Sequence, residues 1–416
     1  METFAELQVS GLIKENLSRA KLTTPTPVQA GAIPPALLGR DVLGTAQTGT
    51  GKTLAFMIPI LERLIHSPAK GIEALVLLPT RELAMQVYDV AARVGRGSRI
   101  SASLVVGGLS EVRQLDEIRQ GARLVIATPG RLDDYVRRKL VNLQNVKILV
   151  LDEADRMVDM GFLPQMRTIL QALPKERQTM CFSATLEKTV ARLVHEYLKS
   201  PVRVEIGSTQ KAPETIRLQM YQVFREQKVA LLVHLLNTEP GTFLVFARTK
   251  YGADKLARKL QRQSFDAAVI HGGRSQGQRT AALAGFKQGR HRILVATDIA
   301  SRGIHVHAIS HVVNYDLPQV PEDFIHRVGR TGRAELTGVA STFVTPEDLP
   351  EFRIIEKMLG AQVTRIPLPT NLASEPRSLH EEHFERKARG FSGYGSRSGP
   401  PTKPNRRLMR RRFRAR

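Results

Sequence analysis

Short, largely apolar runs recur along this chain, and each is stopped by a polar or glycine-rich cluster. In the first half they are Val42-Leu43, Ala74 to Leu78, Ile100 to Val106, Leu124 to Ala127, Val146 to Leu151 and Thr179 to Phe182. In the second half they are Phe243 to Phe246, Ala267 to Ile270, Ile293 to Ala296, His311 to Val313 and Ala340 to Val344. Mostly apolar runs of this length predict strands, and the continuous ones strands buried on both faces. Helical patterns lie between them, so the fold class is α/β, with parallel sheets covered by helices. Ligands of such sheets sit beyond the C-terminal strand ends, where the polar clusters fall. Between Glu205 and Thr215 the pattern lapses, which predicts a linker over 208–216 between domains at 1–207 and 217–369.

The cluster with the most specific chemistry is Ala46-Gln47-Thr48-Gly49-Thr50-Gly51-Lys52-Thr53, which runs from an apolar segment into a helical one. It follows the pattern G-x-x-x-x-G-K-[ST], with Ala46 in the first glycine position. Glycines let the backbone turn so that its N–H groups face phosphate oxygens, and the following helix adds positive charge at its start. Lys52 is placed to reach β- and γ-phosphates, and the Thr53 hydroxyl to ligate Mg²⁺. Upstream, Gln29 carries an amide that can read an adenine edge, although alone it is an ordinary helix-face residue.

Charge narrows the class of partner. Lys and Arg outnumber Asp and Glu by 62 to 39, giving a net +23, which favours a polyanion such as nucleic acid. The segment from Thr370 to Arg416 holds 13 Lys/Arg against 4 Asp/Glu and is rich in Gly and Ser, which predicts a disordered basic tail. The rest of the chain is basic as well, so the folded part should present a positive surface. No apolar run is long enough to span a membrane, and the start lacks a secretory pattern. With Cys181 as the single cysteine, disulfides within the chain are impossible and a cysteine zinc site is implausible. The expected setting is reducing and cytoplasmic.

With Asp152-Glu153-Ala154-Asp155 after the fifth strand, the chain resembles the DEAD-box ATP-dependent RNA helicases from about Phe4 to Leu368. The resemblance rests on the ordered set of short motifs. They are Phe4 with Pro25 to Gln29, the glycine loop, Pro79 to Ala84, Gly107-Gly108, Thr128-Pro129-Gly130-Arg131, the acidic tetrad, Ser183-Ala184-Thr185, Gln278-Arg279, Ala296-Thr297-Asp298, and His326 to Arg333. It implies two tandem RecA-like domains with ATP and Mg²⁺ in the cleft between them and RNA across both.

By the same resemblance, Lys52, Asp152, Glu153, Arg330 and Arg333 carry catalysis. Asp152 joins Thr53 on the metal, Glu153 positions or deprotonates water, and the two arginines are fingers from the second domain. Nucleotide binding falls to Phe4, Gln29, residues 46–53, Asp155 and His305. Here Phe4 stacks the base, and His305 stands where the family has an aspartate on the ribose. Lys21 stands where the family often has glycine. Ser183, Ala184, Thr185, His326 and Arg327 couple nucleotide to RNA; helix capping is the simpler reading of Ser183 and Thr185. RNA contacts fall to Thr80, Arg81, Gly107, Gly108, Thr128, Pro129, Gly130, Arg131, Gln278, Arg279 and Thr297. Such groups grip a sugar–phosphate backbone without reading sequence. The expected activity is RNA-dependent ATP hydrolysis that unwinds short duplexes or remodels RNA–protein complexes, with ribonucleoprotein partners recruited by the tail. An ATP-gated RNA clamp and a DNA translocase are the alternatives; Glu153, Arg330 and Arg333 favour the enzyme over the clamp.

Overall fold

Two seven-stranded, all-parallel sheets form from the apolar runs. The first contains β1 (Val42–Thr45), β2 (Ala74–Leu77), β3 (Ala102–Val105), β4 (Leu124–Ala127), β5 (Ile148–Asp152), β6 (Gln178–Ser183) and β7 (Val202–Glu205), in the order β3-β4-β2-β5-β6-β1-β7. The second contains β8 (Ile216–Gln222), β9 (Phe243–Phe246), β10 (Ala267–Ile270), β11 (Ile293–Ala296), β12 (His311–Asn314), β13 (Gly338–Val344) and β14 (Thr364–Arg365), in the order β10-β11-β9-β12-β13-β8-β14. These are the tandem RecA-like domains, with parallel sheets and flanking helices. The sequence pattern omits β7, β8 and β14. The first alternates buried and exposed residues at a sheet edge, and the last is only two residues long.

The computed structural model describes residues 2–374 apart from 47–49, 69, 187, 207–214, 299–308, 333–336, 361–362 and 371. The expected linker therefore lies almost wholly outside the described residues, as does the tail beyond 374. Helices of the first lobe are α1 (Gly11–Arg19), α2 (Pro27–Leu37), α3 (Lys52–His66), α4 (Arg81–Val94), α5 (Glu111–Arg119), α6 (Pro129–Arg137), α7 (Ala154–Asp159), α8 (Leu163–Gln171) and α9 (Lys188–Tyr197). Those of the second are α10 (Lys228–Thr238), α11 (Lys250–Arg262), α12 (Gln276–Lys287), α13 (Pro321–Val328) and α14 (Leu349–Leu359). Among the described residues no helix is long and apolar enough to cross a membrane.

Successive strand residues feed opposite faces, so each sheet carries two apolar clusters. Val42, Val76, Val150 and Phe182 pack on one face of the first sheet, and Leu43, Leu75, Leu149 and Cys181 on the other. The Phe182 ring lies over β1, where a side chain at Gly44 would come within 2.5 Å of it. Strand register then fixes the site: Thr45 pairs with Ser183 and Asp152 with Phe182, so the ends of β1, β5 and β6 open on one edge.

Burial in the second sheet also creates an acid-sensitive point. His311 on β12 is 2 % exposed, stacks on Phe243 at 4.8 Å between centroids and meets Ser341 Oγ at 2.8 Å. Burial, and then the nearby charge of Arg217, pull its imidazole down to about 4. As pH falls below the ordinary value of about 6.5, the unfolded chain takes up a proton that the folded chain refuses. Stability is therefore lost between those two values, by about 3 kcal/mol near pH 4. Urea titrations at pH 7 and pH 4 are expected to show an acid loss smaller by about that amount in His311→Gln. Equal losses in both proteins would remove the assignment.

Candidate active site and nucleic-acid groove

The glycine loop leaves β1 at Ala46 and enters α3 at Lys52; Gln47, Thr48 and Gly49 lie outside the described residues. Gly51 has φ +94, the left-handed region that glycine tolerates, and sits at the start of the helix. Lys52 is buried, and its Nζ donates to Ala46 O at 3.0 Å, folding the ammonium back over the loop. Thr53 follows, half-buried at the first turn. Gln29 is fixed to the same loop. Its Oε1 accepts from Thr26 N at 2.8 Å, and its Nε2 donates to Gly51 O at 2.9 Å. A Cβ at position 51 would come within 2.4 Å of that nitrogen. Lys21 has φ +57, a conformation that explains why glycine suits this position.

Phe4, expected to stack the base, is 3 % exposed and belongs to the core cluster that holds Leu7, Ile13 and Leu17. An aromatic near the chain start carries no sign in the sequence of which face the core will cover.

The acidic tetrad closes the edge. Asp152 ends β5 and is 3 % exposed, and its Oδ1 accepts from Glu153 N at 3.0 Å. Burial pushes its carboxyl up to about 6 against the pull of Lys52, with the neighbouring Glu153 charge acting in the same direction as burial. Glu153 takes the left-handed backbone at φ 53, ψ 50. The Asp155 carboxylate, expected near the nucleotide, accepts bonds from within the protein. Oδ1 accepts from Arg156 N at 2.9 Å, and Oδ2 from Ala184 N at 2.8 Å and Thr185 N at 2.9 Å. Its own N–H donates to Ser183 Oγ at 3.2 Å, and that hydroxyl donates to Thr185 O at 2.7 Å. Asp155 thus joins the tetrad to Ser183-Ala184-Thr185.

Beside this edge, a groove of about 460 Å³ runs over the ends of β2, β3 and β4. It is lined by Thr80, Arg81, Gly107, Thr128, Gly130 and Arg131, with Gly272 and Arg279 from the second lobe. Thr80 Oγ1 caps α4 by accepting from Leu83 N at 3.3 Å. Arg81 lies flat on Gly107-Gly108, where a Cβ at 108 would meet its Nη1 at 2.2 Å. Burial, followed by the charge of Arg279, lowers the Arg81 guanidinium from its ordinary value. Pro129 is buried at the start of α6. Arg131 is held by Glu111 at 3.0 Å and lies over the Tyr135 ring.

On α12, the Gln278 Oε1 accepts from Ser275 N at 3.1 Å, completing a capping box. The residue that reaches the first lobe is Gln276, which donates to Glu82 Oε1 at 3.1 Å, beside an Arg279–Glu82 ion pair at 2.7 Å. Glu82 and Gln276 were not singled out in the sequence; their spacing from Arg279 becomes meaningful only once the two lobes meet.

In the second lobe Arg327 is 2 % exposed. It donates to Asp298 Oδ2 at 2.7 Å and to Asp316 O at 2.6 Å, and its guanidinium sits 4.9 Å from the Phe246 ring centroid. It binds Thr297-Asp298 to α13. Thr297 is itself buried. Arg330 is 2 % exposed, and its Nε donates to His326 O at 3.2 Å, on the last turn of α13. Arg333 and His305 lie outside the described residues.

Comparison with known proteins gives the same assignment. The DEAD/DEAH box helicase model matches residues 26–193, and the helicase conserved C-terminal domain model matches residues 227–335. The DEAD-box ATP-dependent RNA helicase CshA of Geobacillus kaustophilus is 39% identical over 371 residues, covering 89% of this chain and 79% of that protein. CshA of Bacillus subtilis is 38% identical over 369 residues, covering 88% and 74%. The structure of S. cerevisiae Dbp5 bound to RNA and ADP BeF3 aligns with a TM-score of 0.79 at 30% identity, over 94% of this chain and 99% of that one. Mss116p bound to ssRNA and AMP-PNP aligns with a TM-score of 0.81 at 25% identity, over 92% and 84%. The paired lobes, the Lys52 charge acting on the buried Asp152 and these matches lead to one conclusion: the chain belongs to the DEAD-box ATP-dependent RNA helicases.

Proposed function

We propose that this helicase couples RNA-stimulated ATP hydrolysis to local unwinding of short RNA duplexes or to remodelling of RNA–protein complexes. One observation carries the reading. A single sheet edge bears the glycine loop and two buried carboxylates at the ends of β1 and β5, and, after β2, β3 and β4, a groove lined by Arg81, Arg131 and Arg279 together with Glu82 and Asp134. Nucleotide chemistry and polyanion binding are thereby neighbours on one rigid support.

The residues fit ATP and Mg²⁺. The buried Lys52 ammonium suits phosphate oxygens, and Gln29, pinned beside the loop, suits an adenine edge. Thr53 and Asp152 offer hard oxygen donors, and a cation would offset the burial that raises the Asp152 carboxyl. Among the described residues no group of three or more His, Cys, Asp or Glu could hold a metal. That fits an ion held jointly by a carboxylate, a hydroxyl and substrate phosphates. Bound Mg²⁺ supplies neutralisation of the phosphate charge.

The protein's own groups do the rest. Glu153 orients water and takes its proton, and Arg330 with Arg333 stabilises charge developing on the γ-phosphate. Thr80, Arg81, Gly107, Gly108, Thr128, Pro129, Gly130, Arg131 and Thr297 grip RNA by its backbone, with Arg279 supporting the groove from the second lobe. Asp155 relays between the acid pair and Ser183-Ala184-Thr185. The tail adds sequence-tolerant affinity for RNA and for ribonucleoprotein partners.

The testing experiment is steady-state ATP hydrolysis with no nucleic acid, with single-stranded RNA, and with DNA of matched sequence. Severalfold stimulation by RNA alone is expected. Arg81→Ala should raise the RNA concentration for half-stimulation and reduce the salt slope of binding by about 1. RNA binding without stimulation would replace this reading with a clamp; equal stimulation by DNA would replace it with a translocase.

A further inference from the structure

Glu153 does not stand alone at the end of β5. Its Oε2 lies 3.0 Å from Nη1 of Arg156, and the two side chains are 3 % and 2 % exposed. A carboxylate and a guanidinium buried together gain little over apolar residues of the same volume, because desolvation offsets their attraction. Stability therefore explains this pair poorly. The geometry explains it better. Glu153 has a left-handed backbone, so its side chain leaves the strand end in a direction that the regular strand would not give. Arg156, one turn into α7, meets it there. Arg156 is fixed in turn, since its N–H donates to Asp155 Oδ1, whose carboxylate is held by Ala184 and Thr185. Its Nη2 is buried with no partner among the described residues, a donor for which the fold itself supplies no use.

We infer that Arg156 is the positioning residue of Glu153: it fixes the rotamer of the carboxylate, and with it the direction from which water gives up its proton. A base oriented by a third group is a general arrangement in activated-nucleophile sites. The inference rests on the role of Glu153 proposed above. It also gives Ser183-Ala184-Thr185 a route to the reacting water, through Asp155 and Arg156.

The test uses the full chain at saturating RNA and measures kcat and KM for ATP. Arg156→Met and Arg156→Lys are compared in the wild-type and Glu153→Gln backgrounds, with thermal unfolding as the control for folding. Arg156→Met should lower kcat by about 10- to 100-fold and leave KM within about twofold, the pattern of an interaction made only in the transition state. Arg156→Lys, which keeps the charge but not the fork, should fall between Arg156→Met and wild type. In the Glu153→Gln background, Arg156→Met should change kcat by less than about twofold, because the pair acts as a unit. Equal fold-losses in both backgrounds, or a wild-type kcat in both Arg156 variants, would overturn the inference. If Arg156→Met does not fold, Arg156→Lys decides: reduced kcat at unchanged KM supports the role, and unchanged kcat ends it. A wild-type kcat in Glu153→Gln itself would overturn the reading of Glu153, and the inference with it.

Discussion

Glu153→Gln is expected to lower the RNA-saturated rate of ATP hydrolysis by roughly 10²–10⁴-fold, the range that a positioned general base supplies. Glutamine keeps the length and shape of the side chain and its left-handed backbone, but cannot take a proton from water. The neighbouring carboxylate cannot stand in for it, because Asp152 ends the strand with Oδ1 turned back to the Glu153 N–H. ATP binding should stay within about twofold, since Lys52 and Gln29 are untouched. Rapid-quench hydrolysis, together with equilibrium binding of a non-hydrolysable analogue, separates the two effects. A rate within tenfold of wild type would mean that another group activates the water.

The second large effect falls on stability and coupling together. Asp155→Ala removes a carboxylate that accepts three backbone N–H bonds, from Arg156, Ala184 and Thr185, and leaves all three donors in a buried site. Unsatisfied buried groups cost about 1–3 kcal/mol each, so the total expected is roughly 3–5 kcal/mol after partial relaxation. For a lobe of this size that lowers Tm by about 10 °C. Asp155→Asn keeps one acceptor oxygen and should lose about half as much. Below the melting range, strand displacement should fall further than ATP hydrolysis, because the bonds broken join the acid pair to Ser183-Ala184-Thr185. Thermal unfolding and a paired comparison of displacement with hydrolysis test both parts. An unchanged Tm would show that the buried N–H groups find other acceptors.

The parts legible in the sequence are those written in local pattern. Ala74 to Leu78 and Ile148 to Leu151 are buried on both sheet faces, and continuous apolar runs say so without help from the fold. The helix starts at Lys52 and Arg81 are signalled by glycine and threonine directly before them. The contacts that local pattern does not reveal share a cause. Gln278 and Gln276 are two residues apart on α12, and one caps its own helix while the other reaches Glu82. Nothing local distinguishes them; the choice is made by residues almost two hundred positions away. Asp155 sits in the same acidic tetrad as Asp152, yet its Oδ1 accepts from Arg156 N and its Oδ2 from N–H groups beyond β6. Phe4 is buried in a cluster with Ile13 and Leu17 of α1.

Numbered afresh from one to seven, the strands of the second sheet run 3-4-2-5-6-1-7, which is the order of the first. The chain is thus one architecture written twice, and its loops can be matched by position. After the second strand of each copy stand a threonine and a cation, Thr80-Arg81 and Thr249-Lys250, and each threonine caps the helix that follows. After the third stand paired glycines, Gly107-Gly108 and Gly272-Gly273, and the cation of the same copy lies against them both times. After the first strand the copies part: one continues into Gly51-Lys52-Thr53, the other into Val223-Phe224-Arg225. A duplicated ancestor would leave this record, with the threonine–cation–glycine edge retained in both halves and the glycine loop in one. An extended RNA backbone crossing the two edges would meet the same short phrase of residues twice.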